Sequence, residues 1–169
     1  MHMVIRAIVY AKDKEEALEN AEHIFGKLVG TSRPFDYYTM FRDGDDKYGV
    51  SGRSRWKDIP AVAKATSKEG TSLIENGMKY TEDAFNGALD QIKGYIRDDD
   101  TENSMFRYYC YVIGQYEGPD VFLYDQDGEG IRDRKHLENV LNKWAGASIS
   151  SSKEYEKLKI FVVPADVHS

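Results

Sequence analysis

The sequence MVIRAIVYAKDKEEALENAEHIFGKLVG, residues 3–30, decides the fold class of this chain. In residues 3–11 both alternating sets of side chains are largely apolar, which is typical of a strand buried on both faces. Asp13 followed by Glu16 is a capping-box pattern, and apolar residues then recur at helical spacing until Gly30. A buried strand followed at once by an amphipathic helix predicts a sheet with helices packed against it.

The rest of the chain extends this alternation of strands and helices. We expect further strands over residues 35–42, 105–115, 121–125 and 158–163, the last one ending at Pro164. We expect a short helix headed by Pro60, a long helix opened by the capping box of Ser72 and Glu75, and a helix capped by Asp133. Residues 48–56 fit a short strand or a loop equally well.

These elements predict an α+β fold. The expected form is a two-layer sandwich with a mainly antiparallel or mixed sheet and helices packed on one face, in a ferredoxin-like version. A doubly wound parallel sheet is the alternative, which we disfavour because the short link at residues 117–120 suits a hairpin between two antiparallel strands. No internal repeat or long linker divides residues 1–169, so we expect a single domain.

Composition limits the possible partners and compartments. The 23 Lys and Arg against 29 Asp and Glu give a formal net charge of −6, so the chain as a whole does not attract nucleic acid or anionic lipid. The N-terminal residues match neither a signal peptide nor a membrane span. The single cysteine, Cys110, falls in a predicted strand and is expected to be a buried, inert thiol, which suits the cytoplasm.

Residues 125–133 form the strongest local pattern. Asp125, Asp127, Glu129 and Asp133 occupy positions one, three, five and nine of a loop that resembles a calcium loop. The match fails at position twelve, where His136 replaces the bidentate carboxylate, and an acidic turn that caps the next helix explains the same residues. If the loop does hold Ca²⁺ or Mg²⁺, it would be the centre of a metal-assisted hydrolase or phosphotransferase.

A second pattern combines cations with aromatic rings. Arg53, Arg55 and Trp56 lie in the one locally basic stretch, where they could grip phosphates and stack a base. On an open sheet face they could join further residues: Arg6, Tyr10, Tyr38, Arg107, Tyr109 and Tyr111. Such a face is typical of single-stranded nucleic-acid binders, although the RNP consensus is absent.

The same aromatic residues suit a protein interface, where one end of each ring is apolar and the other polar. The sequence therefore predicts a small cytoplasmic binding or regulatory module that acts through an aromatic sheet surface. We expect it to form a homodimer and to be able to bind a protein partner. The metal-assisted enzyme and the nucleic-acid binder remain the two alternatives.

Overall fold

The computed structural model describes residues 1–45, 51–115, 120–147 and 158–169. Its helices are α1 (Lys14–Lys27), α2 (Lys68–Arg97), α3 (Ser104–Ile113) and α4 (Arg134–Ala147), with a short 3-10 turn at Gly52–Ser54. None of the helices in these ranges has the length and apolarity needed to cross a bilayer.

The sheet is mixed, and the two ends of the chain form its centre. β1 (His2–Ala11) and β5 (Lys159–His168) pair antiparallel along their whole length. β4 (Leu123–Tyr124) runs parallel to β1 on one side. On the other side, β2 (Tyr37–Met40) and β3 (Ala63–Lys64) both pair antiparallel with β5, at different parts of it. The resulting order is β2-β5-β1-β4, with β3 beside β5.

One face of the sheet packs against α1. Asp13 caps this helix as predicted, because its carboxylate accepts hydrogen bonds of 3.0 Å from the backbone N–H groups of Glu15 and Glu16. The buried side of α1 carries Ala17, Ala21, Ile24 and Phe25. These side chains form one core with the odd-numbered residues of β1 and of β5.

The opposite face packs against α2 and α4. Leu73, Ile74 and Met78 of α2 and Leu137 and Val140 of α4 form a second core, which also includes apolar residues of β1, β3, β4 and β5. The α+β class with a mixed sheet is confirmed. The helices, however, lie on both faces rather than on one as in the ferredoxin-like version, because both alternating sets of β1 side chains are apolar and each needs a cover.

Two further predicted elements differ from the structure. Most of the strand predicted over residues 105–115 is helical, as part of α3. Asn103 caps this helix by accepting from the Met105 N–H at 3.0 Å, and Tyr95 of α2 packs against Phe106. The aromatic residues suggested a strand, but their packing against α2 overrides that propensity. The segment after Pro60 contains β3 rather than a short helix, since it pairs with β5.

The bounds of two predicted elements also shift. α2 begins before Ser72, because Ser67 caps it by accepting from the Gly70 N–H at 3.1 Å. β5 continues through Pro164 to its end at His168. Pro164 lies opposite Arg6 of β1, and on the outer side it falls between the segments paired with β3 and β2, where a missing N–H is tolerated. Of the predicted link at residues 117–120, residues 117–119 lie outside the described ranges.

Candidate ligand-binding site

A cleft of about 360 Å³ opens on the α2 face of the sheet, near the start of β1. This volume is within the range of small-molecule pockets. Residues from β1, the turn before β3, α2 and the segment before β4 meet there. The lining residues are His2, Met3, Val4, Arg6, Trp56, Ile59, Asn76, Tyr80 and Phe122.

Arg6 is the central polar residue of this cleft. Arg6 lies in the middle of β1, and only 4% of its surface is exposed. The guanidinium Nη1 donates to the Val4 carbonyl, and the cation lies 5.7 Å from the centre of the Tyr80 ring. Within the described residues, Nε has no hydrogen-bond partner and no carboxylate forms an ion pair with Arg6. The charge is therefore buried without an acidic partner.

Burial changes the acidity of this group. Desolvation lowers the pKa of Arg6 to about 10, while the neighbouring Tyr80 acts weakly in the opposite direction. The guanidinium thus stays charged at neutral pH in a site where a charge is costly. An anion that entered the cleft would remove much of that cost.

Gly77 of α2 makes room for the arginine. A Cβ at this position would lie 3.1 Å from Arg6 Cδ and 3.3 Å from the Phe122 carbonyl oxygen. The neighbouring Thr81 hydroxyl accepts from the Phe122 N–H at 3.0 Å and donates to the Gly77 carbonyl at 3.1 Å. The Phe122 carbonyl in turn accepts from the Arg6 N–H at 3.0 Å. This network fixes the segment before β4 against both α2 and β1.

Trp56 reaches the cleft from the 3-10 turn. The Trp56 N–H donates to the Gly52 carbonyl at 2.9 Å, and the Gly52 N–H donates to Asp166 Oδ2 at 2.9 Å. Gly52 has a φ of +55°, and a Cβ there would lie 3.0 Å from Thr39 Cγ2. The Trp56 indole Nε1 is buried and, among the described residues, has no hydrogen-bond acceptor. The cleft therefore contains a second unsatisfied donor.

The Asp166 carboxylate holds that turn in place. Asp166 is fully buried in β5, and its second oxygen, Oδ1, accepts from His2 Nδ1 at 3.1 Å. Both oxygens are thus occupied, by the turn and by the imidazole. Asp166 is a positioning residue for Trp56 and does not pair with Arg6.

The structure does not bring the residues of the predicted aromatic surface together on one open sheet face, because helices pack against both faces of the described sheet. Tyr38 of β2 packs against Phe25 with ring centres 5.9 Å apart, on the α1 face. Tyr109 and Tyr111 lie on α3, beyond α2. The prediction for Tyr109 and Tyr111 depends on a strand over residues 105–115, whereas residues 104–113 are helical.

The basic stretch is also divided. Arg53 pairs with Asp43 at 2.7 Å and donates to the Phe41 carbonyl at 2.8 Å. Arg55 is exposed and its guanidinium lies 5.8 Å from the Trp56 ring centre. Of the residues predicted for the aromatic and cationic surface, Arg6 and Trp56 line the cleft.

Two of the four predicted metal ligands, Asp125 and Asp133, accept hydrogen bonds from backbone N–H groups of their own segment, and Asp127 and Glu129 are exposed. Asp125 Oδ1 accepts from the N–H groups of Asp127 and Glu129, each at 2.9 Å, and Asp133 caps α4 by accepting from the His136 N–H at 2.7 Å. Within the described ranges, no group of three or more His, Cys, Asp or Glu is placed to hold a metal ion. This geometry favours the turn-and-cap interpretation of the sequence pattern.

Cys110 also differs from the prediction. It lies on α3 and is exposed, rather than buried within a strand. The reason is again the helical conformation of residues 105–113.

The fold and the cleft together define an α+β protein with a small-molecule-sized site at one end of a mixed sheet. Over residues 1–169 the chain matches the model of a family described as a domain of unknown function, DUF7995, and it belongs to that family. No curated protein and no solved structure matches it.

Proposed function

We propose that this protein is a small-molecule binding module that holds an anionic ligand in the cleft around Arg6. The observation that carries the proposal is the buried guanidinium, which has no acidic partner among the described residues. Buried charges in proteins are usually paired, and an arginine left unpaired within a cleft is a typical anion-binding group.

The surroundings of Arg6 support the same function. Trp56, Tyr80 and Phe122 provide apolar walls, and the indole N–H of Trp56 and the amide of Asn76 are polar groups in the same cleft. A mostly apolar pocket with a few polar groups is the usual design of a ligand site. We therefore retain the predicted binding module as our proposal, but we propose this cleft, and not an open sheet face, as its binding site.

Titration of ¹⁵N-labelled protein with benzoate and with phenyl phosphate, at constant ionic strength, tests this function. We expect at least one of these anions to shift the amide resonances of residues 3–6, 56 and 122 in a saturable way. Arg6→Met should abolish the shifts, and the control Arg97→Met, at an exposed position on α2, should retain them. Equal shifts in the wild type and in Arg6→Met, or none with either anion, would overturn the proposal.

A second candidate function is self-association, as the sequence analysis expected. Four large exposed apolar or aromatic residues lie on the last turn of α2 and on α3: Ile96, Met105, Tyr108 and Tyr111. Arg107 on the same helix and the acidic turn at residues 98–100 supply complementary charges for a two-fold contact between two copies.

Light scattering over a range of protein concentrations tests the dimer. We expect a dimer for the wild type and a monomer when Tyr108→Ser and Tyr111→Ser are combined. Tyr37→Ser, which changes an exposed tyrosine on β2, is the control and should remain dimeric. A monomeric wild type would contradict this candidate.

We also propose the cytoplasm as the place of action. The single cysteine is an exposed thiol with no second cysteine in the chain to form an internal disulfide. Such a thiol suits a reducing compartment.

A further inference from the structure

We propose that the ligand is a flat monocarboxylate, an acid group on a single or fused planar ring, and that the cleft discriminates against phosphates. This inference rests on the proposed anion-binding function and specifies the ligand class of the same site. Three properties of the cleft support it: its charge, the geometry of its free donors and its shape.

The charge of the cleft matches a monoanion. Arg6 is the one permanent cation among the lining residues, and the only other basic group there, His2, already contacts the buried Asp166. A carboxylate of charge −1 would neutralise Arg6. A phosphate monoester carries up to −2 at neutral pH, so part of its charge would stay uncompensated in a poorly solvated site.

The free donors match the acceptor geometry of a carboxylate. Because Nη1 of Arg6 already donates to Val4, the guanidinium edge that contains Nε remains for a ligand. That planar edge fits the two oxygens of a carboxylate. Among the described residues, the Trp56 indole N–H is the other buried donor in this cleft for which no acceptor is present. A carboxylate has enough lone pairs to accept from both.

The cleft lacks the elements that proteins commonly use for phosphate. Asn76 and Tyr80 lie inside α2, well after its start at Lys68, so the N-terminus of α2 is not part of the cleft. The N–H groups in the interior of a helix are already bonded within the helix. Among the lining residues there is no glycine and no lysine.

The remaining walls fit a ring. The ring centres of Tyr80 and Phe122, which both line the cleft, lie 5.5 Å apart. Met3 and Ile59 are further apolar lining residues. A volume of about 360 Å³ corresponds to about a dozen water molecules at roughly 30 Å³ each. An acid with one or two rings fits such a space, whereas a dinucleotide does not.

Tryptophan fluorescence can test this inference directly. The chain has two tryptophans, so Trp144→Phe leaves Trp56 as the single reporter inside the cleft. We would titrate this variant with benzoate, its neutral analogue benzamide, phenyl phosphate and acetate. We expect saturable quenching by benzoate, with an affinity at least tenfold higher than that of each of the other three compounds.

Variants identify the groups that recognise the acid. Arg6→Lys keeps the charge but loses the planar edge, so we expect at least a tenfold loss of benzoate affinity. Trp56→Phe keeps an aromatic ring but loses the N–H, and calorimetry should show a severalfold loss. Circular dichroism and thermal unfolding establish that each variant is folded, and Arg97→Met should bind as the wild type does.

The possible outcomes distinguish the carboxylate preference from the proposed anion-binding function. Binding of phenyl phosphate as tight as that of benzoate, with loss in Arg6→Met, would overturn the carboxylate preference and leave the anion site standing. Equal binding of benzamide and benzoate would show that the ring alone is recognised. If neither benzoate nor phenyl phosphate binds, both the carboxylate preference and the proposed anion-binding function are overturned.

Discussion

Replacing Arg6 with methionine should stabilise the ligand-free protein. Because burial lowers the pKa of Arg6 from its ordinary value to about 10, keeping the guanidinium charged in the folded protein costs about 3 kcal/mol. Arg6→Met removes this cost, and the flexible methionine side chain can fill much of the same space.

The variant also loses two favourable contacts of Arg6. The hydrogen bond from Nη1 to the Val4 carbonyl and the contact with the Tyr80 ring are each worth about 1 kcal/mol. The expected net gain in the free energy of unfolding is therefore about 1 kcal/mol. For a chain of 169 residues this corresponds to a rise in Tm of about 2–4 °C.

Urea denaturation followed by circular dichroism, without added ligand, measures the difference. Arg97→Met is the matched control, and its stability should be close to that of the wild type because Arg97 is exposed and its ion pair with Asp98 lies at the surface. With benzoate at about 100 times its Kd, the wild type should gain about 2.7 kcal/mol and become more stable than Arg6→Met.

The opposite result would refute the reasoning. If Arg6→Met lost more than about 1 kcal/mol of stability with an unchanged m-value, the guanidinium would stabilise the folded state overall. The buried charge would then need no ligand to explain it.

Three other changes test the packing, the acidity and the exposure found in the structure. Gly70→Ala should cost about 3 kcal/mol of stability in urea denaturation, because the added Cβ would lie 1.9 Å from the Lys64 carbonyl oxygen. In the same helix, a Cβ at Gly87 meets no atom within 4 Å, so Gly87→Ala should gain about 0.5–1 kcal/mol. Burial, followed by two nearby aspartates, raises the pKa of Tyr10 to about 12, so its protonated phenol stabilises the fold below pH ~10 and this contribution is lost as pH rises towards 12. Tyr10→Phe should therefore gain stability relative to the wild type over that pH window, as measured by denaturation at a series of pH values. The exposed Cys110 should react with Ellman's reagent in the folded protein as fast as a free thiol does.

Each of these three expectations has a clear opposite. Equal stability of Gly70→Ala and Gly87→Ala would show that α2 does not begin against β3. A constant difference between Tyr10→Phe and the wild type from pH 9 to 12 would show that the phenol is not buried. A thiol that reacts only in denaturant would place Cys110 inside the protein, as the sequence had suggested.

Local signals in the sequence predicted those elements whose structure is determined locally. β1 and α1 follow from apolar spacing, and the caps Asp13 and Asp133 follow from the need to satisfy free N–H groups at helix starts. The strand predicted over residues 105–115 is wrong because tyrosine and phenylalanine favour strands, whereas the packing of Phe106 and Tyr109 against Tyr95 of α2 is a tertiary contact. The strand order depends on pairing between distant segments, which periodicity does not reveal.

The candidate site shows the same division. Arg6 and Trp56 are predicted as binding residues from the sequence, but on an open sheet face rather than in a cleft under α2. Asn76, Tyr80 and Phe122 come from separate parts of the chain and carry no motif. One signal was present: Arg6 is the only charged residue within an otherwise apolar run, and Asp166 is similarly isolated in the last strand. A lone charge in a strand buried on both faces marks a position where a polar partner has to be found.

The position of β5 determines when this protein can fold. β5 is the last element of the chain, yet it lies between β1 and the pair β2 and β3. During synthesis, β1 leaves the ribosome before the other described elements and lacks its antiparallel neighbour until residues 159–168 have emerged. Until then, neither core can close and β1 exposes apolar side chains on both faces. A nascent chain stalled before residue 159 should therefore remain unfolded and sensitive to protease.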